Sequence, residues 1–285
     1  LLDSKIGIYT VYPMDFHKLI GYLKFAGNEA GDPYMYINGG VWSHGNTFYA
    51  LALKEAGRTA EAVDFVKRIM TLDGILNSPN GQPAMYEYRI ARKDSAAVYG
   101  KVDKPQFMWA AGFYIYSLYH LFGIDEGTYN IRFTPYLMEN QDKCMFTLNV
   151  PGSSPEVSIS GKGEYIKSIK YDGSSFPSAV IPGFTAAKKI DITLGKPEAP
   201  YLNSAGAVLK KAEYDKDKRE LSLTLSSFSG HRDPLEVVSP LKPKEVSMNG
   251  AIVPKGYITE KKGEVYIMHF SFVPDTDTTE IKIRY

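Results

Sequence analysis

The stretch FMWAAGFYIYSLYHLFGI, residues 107–124, decides the reading of the fold. It carries no Asp, Glu, Lys or Arg and is apolar on nearly every helical face. Pro105 stands where a helix can open and Gly123 where one ends. The expected element is a helix from Pro105 to Phe122, buried between layers. Tyr, Ser and His interrupt the run before ~18 consecutive apolar residues accumulate, so no membrane span is expected.

Composition changes across Gly123. Residues 1–123 hold both tryptophans, 13 of the 21 alanines and 5 of the 17 prolines; residues 124–285 hold the other 12 prolines. Alanine favours helix and proline breaks it. Two domains are therefore expected, helical over 1–123 and β over 124–285. Upstream, residues 43–56 carry Phe48, Leu51, Ala52 and Glu55 at helical spacing, closed by Gly57. Residues 59–72 show Ala62, Phe65, Val66 and Ile69, an amphipathic stripe. The joint at Ala56-Gly57-Arg58 makes the two an antiparallel hairpin. A weaker helix is expected around residues 16–25. Glycine-rich segments 27–42 and 73–104 read as long loops, which in a compact domain are usually functional or disordered.

Downstream, short strands are expected at 131–133, 144–149, 156–160, 166–171, 189–194, 220–225, 245–248, 265–272 and 280–284. Turns at Gly161–Gly163, Asp172-Gly173, Asn249-Gly250 and Lys262-Gly263 separate them. Such spacing points to an antiparallel sandwich. The segments SIKYDGSSFP and EVSMNGAIVP share a strand–turn–strand–Pro shape, residues 215–220 read as a solvated turn, and the proline-rich segment 234–243 reads as a connecting loop.

Charge and motifs exclude several functions. With 33 Lys+Arg against 32 Asp+Glu the formal charge is +1, too little basic field for a general nucleic-acid binder. Cys144 is alone, so no disulfide framework exists. The five histidines, at 17, 44, 120, 231 and 269, never approach metal-ligand spacing, and no P-loop, dinucleotide fingerprint or GxSxG elbow occurs, so no metal and no cofactor is expected.

Three polar–aromatic clusters remain, all in the helical half. In residues 36–44, YINGGVWSH, two glycines free the backbone and Ser43 is placed to cap the next helix. Asn38, Trp42 and His44 then surround a helix N-terminus, offering a ring face beside amide and imidazole groups, as a pyranose requires. A glycine turn with a core Trp and a capping His explains the same residues. In residues 81–89, GQPAMYEYR, Glu87 lies between two tyrosines and could act as a general base, or could be a surface carboxylate paired with Arg89 or Arg92. In residues 104–112, Trp109 opens the long apolar helix, either facing a pocket or simply packing in a core.

Taken together over residues 5–138, these clusters resemble the C-terminal part of (α/α)6-barrel carbohydrate enzymes: cellobiose and chitobiose phosphorylases, trehalases and processing α-glucosidases. YINGGVWSHGNTFYALAL resembles their NGG(I/V)(F/W)xH segment, QPAMYEYR their glutamate-bearing segment, and FMWAAGFYIYSLYHLFGI the helix that closes the barrel. YNIRFTPYL is similar to the strand entering their C-terminal β-sandwich. The resemblance implies a partial (α/α)6 toroid followed by an antiparallel β-sandwich. It also implies a glycosidase that hydrolyses an oligosaccharide with inversion, Glu87 as general base, and Asn38, Trp42, His44, Tyr88 and Trp109 as sugar contacts. Ala110 and Ala111 stand where the phosphorylases carry hydroxyl residues that help hold phosphate, which disfavours a disaccharide phosphorylase; a non-catalytic carbohydrate-binding module is the other alternative. Inversion also needs an acid ~6.5–9.5 Å from the base, found upstream in those families. Only 37 residues precede Asn38, and the chain starts Leu-Leu-Asp without Met. The expectation is a C-terminal piece of a larger enzyme, whose missing barrel half, in the same polypeptide or another chain, supplies that acid. Oligosaccharide is the expected ligand, without nucleic acid or membrane.

Overall fold

The computed structural model describes residues 1–12, 32–121, 123–126, 130–254 and 256–285. The chain divides into two compact units, Leu1–Leu121 and Phe122–Tyr285. The helix expected around residues 16–25 lies outside the described residues.

The first unit opens with β1 (Leu2–Asp3) and β2 (Gly7–Ile8), paired antiparallel. β3 (Val41–Trp42) runs directly into α1 (Ser43–Glu55), which is followed by α2 (Thr59–Ile69) and α3 (Leu72–Leu76). Then come β4 (Tyr86–Arg89), β5 (Val102–Pro105) and α4 (Met108–Leu121). The α1–α2 hairpin forms because Gly57 takes φ +74° and its N–H reaches Lys54 O, while Arg58 N–H reaches Leu53 O. The stripe Ala62, Phe65, Val66 and Ile69 is buried in one cluster with Ala50, Leu53 and Leu121, so one core joins α1, α2 and α4. Thr47 and Ser117 tie α1 to α4 through a 3.1 Å hydroxyl–hydroxyl bond.

Several expectations for this half are corrected. The described residues are 41% strand and 16% helix with four helices, which overturns the partial (α/α)6 toroid. The segments 27–42 and 73–104, expected to be long loops, contribute the strands of a three-stranded sheet in the order β3-β4-β5. The helix expected to run to residue 72 ends at Ile69, and Leu72 starts the short α3, whose N-cap Thr71 accepts from Gly74 N. Pro105 does not open α4. It ends β5, and left-handed φ values at Lys104 (+45°) and Gln106 (+66°) turn the chain before the helix begins.

Nor is α4 buried all round. Ala110, Ser117, His120 and Leu121 are buried, whereas Met108, Trp109, Ile115 and Tyr116 are 84, 67, 53 and 40% exposed. Gly112 lies in the middle of that exposed face, and a Cβ placed there would meet nothing within 4 Å. A mid-helix glycine costs ~1 kcal/mol against alanine, and no contact inside the described unit calls for it.

The second unit is built from strands. β6 (Ile124–Glu126) and β7 (Ile131–Phe133) form a two-stranded ribbon. β8 (Lys143–Thr147), β9 (Glu156–Gly161), β10 (Ile166–Tyr171), β11 (Ser174–Ser175) and β12 (Lys189–Leu194) form a sheet in the order β11-β10-β12-β9-β8. Here the antiparallel expectation fails at one pair, since β12 runs parallel to β9. Its alternation places Ile190, Ile192 and Leu194 inward, which is why the strand was readable.

The rest are β13 (Tyr201–Ala205), β14 (Val208–Asp215), β15 (Glu220–Ser226), β16 (Asp233–Ser239), β17 (Glu245–Met248), β18 (Ala251–Ile252), β19 (Tyr257–Lys262), β20 (Val265–Phe272) and β21 (Thr278–Arg284). They make two sheets, β13-β16-β20-β19 and β14-β15-β21-β17-β18. Leu202, Leu235, Val237, Met268 and Phe270 of the first share one core with Leu209, Leu221, Leu223, Ile281 and Ile283 of the second. β16 replaces the connecting loop expected at residues 234–243. Pro234 is tolerated because it lies near the strand's start, where its carbonyl accepts Gly206 N–H. Asp172-Gly173 and Asn249-Gly250 both take positive φ at each residue, the signature of tight two-residue hairpins.

Candidate functional site

The densest polar–aromatic cluster lies where β3 enters α1. Trp42, rather than Ser43, is the N-cap of α1, extended at φ −89° and ψ 139°, and it makes no side-chain cap bond. Ser43 instead begins the helix, with its hydroxyl buried and without a partner. This corrects the expected Ser43 cap. His44 follows, with Nδ1 also buried and unpartnered, as is Trp42 Nε1. Three polar atoms at one helix start thus have no partner among the described residues, an arrangement uncommon enough to require a reason.

The rings are brought together from all three sequence clusters. Trp42 lies 4.5 Å from His44 by ring centroid, and His44 lies 6.4 Å from Trp109 and 5.5 Å from Phe113. Tyr36 packs on Trp42 at 5.0 Å and on Tyr88 at 5.4 Å. Strand register explains part of this, since Trp42 pairs with Tyr88, and Tyr88 with Asp103. Tyr88 is fully buried and donates to Asp103 Oδ2 at 2.7 Å. Asn38 is fully buried as well, its carbonyl accepting Tyr34 N–H in the preceding turn.

Glu87 joins the cluster through Lys104. Alternation along β4 sends Glu87 and Tyr88 to opposite faces, but the Lys104 side chain spans both: its Nζ is 3.0 Å from Glu87 Oε2 and sits over the rings of Tyr36 and Tyr88 at 5.3 and 5.9 Å. The pairing with Arg89 or Arg92 is not the one observed. Arg89 is completely buried and donates to Gly100 O and Pro79 O, and Arg92 lies over Tyr34. Glu87 is also electrostatically coupled to His44. Burial lowers the His44 pKa, and the Glu87 charge opposes that shift.

Backbone strain concentrates at the same place. Tyr36 and Lys104, which touch each other, have φ +37° and +45°, and bulky residues there cost ~1–3 kcal/mol each unless the surroundings hold them. Tyr36, Asp103 and Lys104 are the participants that residue patterns missed. No local composition marks a non-glycine residue for the left-handed region, although the position of Lys104 directly before Pro105 signalled a restricted backbone.

Beside Trp42 and His44 runs a groove of about 430 Å³, bordered by Thr10, Ile37 and Phe48, a volume suited to a small molecule. A comparable cavity of about 500 Å³ in the second unit is lined by Phe176, Tyr201 and Tyr214. On its rim Lys167 is paired with Glu198 at 3.2 Å.

A separate buried hub lies at the start of the chain. Asp3, 2% exposed, accepts from Lys5 N–H, Tyr9 OH and Tyr99 OH and is 3.0 Å from Lys93 Nζ. Burial pushes its carboxyl upward, but the hydrogen bonds and the Lys93 charge outweigh that and hold it below the usual range. Burial and Asp3 together push Tyr99 up to about 12. The hub holds the 93–99 segment to β1.

Among the described residues, no group of three or more His, Cys, Asp or Glu could hold a metal ion, and no helix is long and apolar enough to cross a membrane. Comparison with known proteins finds no matching family model and no matching curated protein. The likeness to the (α/α)6-barrel enzymes, together with the toroid it implied, is therefore withdrawn. What remains is the site's own geometry.

Proposed function

We propose that the cluster around Trp42, His44 and Glu87 binds a saccharide and serves hydrolysis of a glycosidic bond, with Glu87 as general base. The observation that carries this reading is the convergence of Trp42, Trp109 and Glu87 on His44 from three segments distant in sequence. Exposed Trp109 and half-buried Trp42 offer apolar faces for sugar C–H groups, while Trp42 Nε1 and Ser43 Oγ are polar groups without partners. Glu87, 14% exposed and held by Lys104, is a preorganised acceptor for a water or hydroxyl proton.

A second carboxyl is needed for hydrolysis. Asp103 does not fill that role, because one oxygen accepts from Tyr88 and the other from Lys104 N. The proton donor must then come from outside this cluster. That requirement favours, as the second reading, a saccharide-binding site without turnover.

The test is Glu87→Gln, assayed for hydrolysis of an oligosaccharide panel and, in parallel, for binding by calorimetry. Loss of ~10²–10⁴-fold in rate with binding retained supports the base. Binding without hydrolysis in the wild type selects the non-catalytic reading, and wild-type turnover by the variant removes Glu87 from the chemistry.

A further inference from the structure

The exposed face of α4 repeats about its glycine. Met108, Trp109, Ile115 and Tyr116 stand at −4, −3, +3 and +4 from Gly112 and fall within one ~120° arc at 100° per residue. All four are among the exposed large hydrophobics. Together they leave on the order of 500 Å² of apolar side chain in water, given the ~150–250 Å² that an aromatic carries. That is as large as the biggest patch on a typical monomer, ~300–600 Å². The helix has no acidic residue in its first turn, and His120 is the basic residue of its last. The face therefore carries no charge that would oppose a copy of itself.

We propose that this face is an isologous dimer interface, with α4 of two copies crossing antiparallel at Gly112. In a two-fold contact, residue i of one copy meets residue j of the other, and j meets i. A pattern symmetric about its centre satisfies that condition when the helices run antiparallel. Met108 and Trp109 of each copy then oppose Ile115 and Tyr116 of the other, giving thioether–aromatic and aromatic–aromatic pairs. Gly112 at the crossing lets the two backbones approach, which supplies the reason for a mid-helix glycine that no contact among the described residues requires. The patch is smaller than the ~800 Å² per partner of a standard interface, so the dimer is weak, with Kd in the micromolar range. This inference does not rest on the saccharide reading and competes with it at one residue, because a Trp109 ring covered in the dimer is closed to a sugar.

Sedimentation velocity over a concentration series decides it, using the wild type, Ile115→Arg and Gly112→Gln. The wild type is expected to shift from monomer to dimer and to stop there. Ile115→Arg removes the dimer by placing a cation in the apolar contact. Gly112→Gln raises Kd about tenfold or more by keeping the helices apart, while its melting temperature stays equal or rises because the added side chain meets open space. A wild type monomeric at several hundred micromolar overturns the proposal, as does a dimer that both variants keep, or open-ended association beyond two copies. Hydrolysis and its loss in Glu87→Gln are measured separately, so either idea can fail alone.

Discussion

His44 is the residue on which the site's electrostatics converge. Its ring is packed between Trp42 and Phe113, and its Nδ1 is buried without a partner, so burial disfavours the charged imidazolium. The Glu87 carboxylate works against that shift. Replacing Glu87 by Gln removes the favourable charge and leaves the burial. The His44 pKa, followed by NMR through the ring Cε1–H shift, should therefore fall further below 6.5 in Glu87→Gln than in the wild type. An unchanged midpoint would mean that the two groups do not communicate. The sign for stability follows: a histidine whose folded pKa is depressed binds its proton more readily when unfolded. The first unit should lose stability as pH falls below 6.5 and level off below the folded pKa.

At the scale of elements, legibility depended on how local the determining physics was. α2 and β12 were readable because their apolar residues repeat at the helical and strand periods and all face one core. Both (D/N)-Gly hairpins were readable because their turns demand positive φ. β16 was missed because Pro234 is its second residue and Pro240 follows it, and proline at a strand's margin looks like proline in a loop. β4 and β5 were missed because four-residue strands inside a long segment show no period. A motif string of ten residues fixes a turn and a helix start, but it does not fix which distant elements those pack against. The toroid failed for that reason. β12, the middle strand of its sheet, should tolerate change less than the edge strands β8 and β11. Ile192→Ala there, at a fully buried position, is expected to cost ~2–5 kcal/mol, whereas Ser174→Ala in the exposed edge strand β11 should stay within ~0.5 kcal/mol. Urea unfolding of both variants measures the contrast, and equal costs would contradict the assigned burial.

The chain divides into two compact units, and the buried residues of the first fall in several clusters while many of the second share one. Every buried residue of the core shared by the two later sheets lies between Val180 and Tyr285. The sheets around it interleave early and late strands: β21, the last, pairs with both β15 and β17. Tyr285 is itself buried against that core, so β21 is anchored at its far end as well as by its pairing. Such a unit has its main apolar requirement met internally and by pairing across long sequence separations. Residues 122–285 produced alone should consequently fold, with a β-type far-UV circular dichroism spectrum and one cooperative urea transition. Folding should be slow, in the millisecond-to-second range of non-local β topologies. Removing residues 278–285 from that fragment takes away the strand between β15 and β17 and should abolish the transition. If the 122–285 fragment is unfolded, or melts without cooperativity, the second core depends on residues before it and the division of the chain at Leu121 does not describe independent folding units.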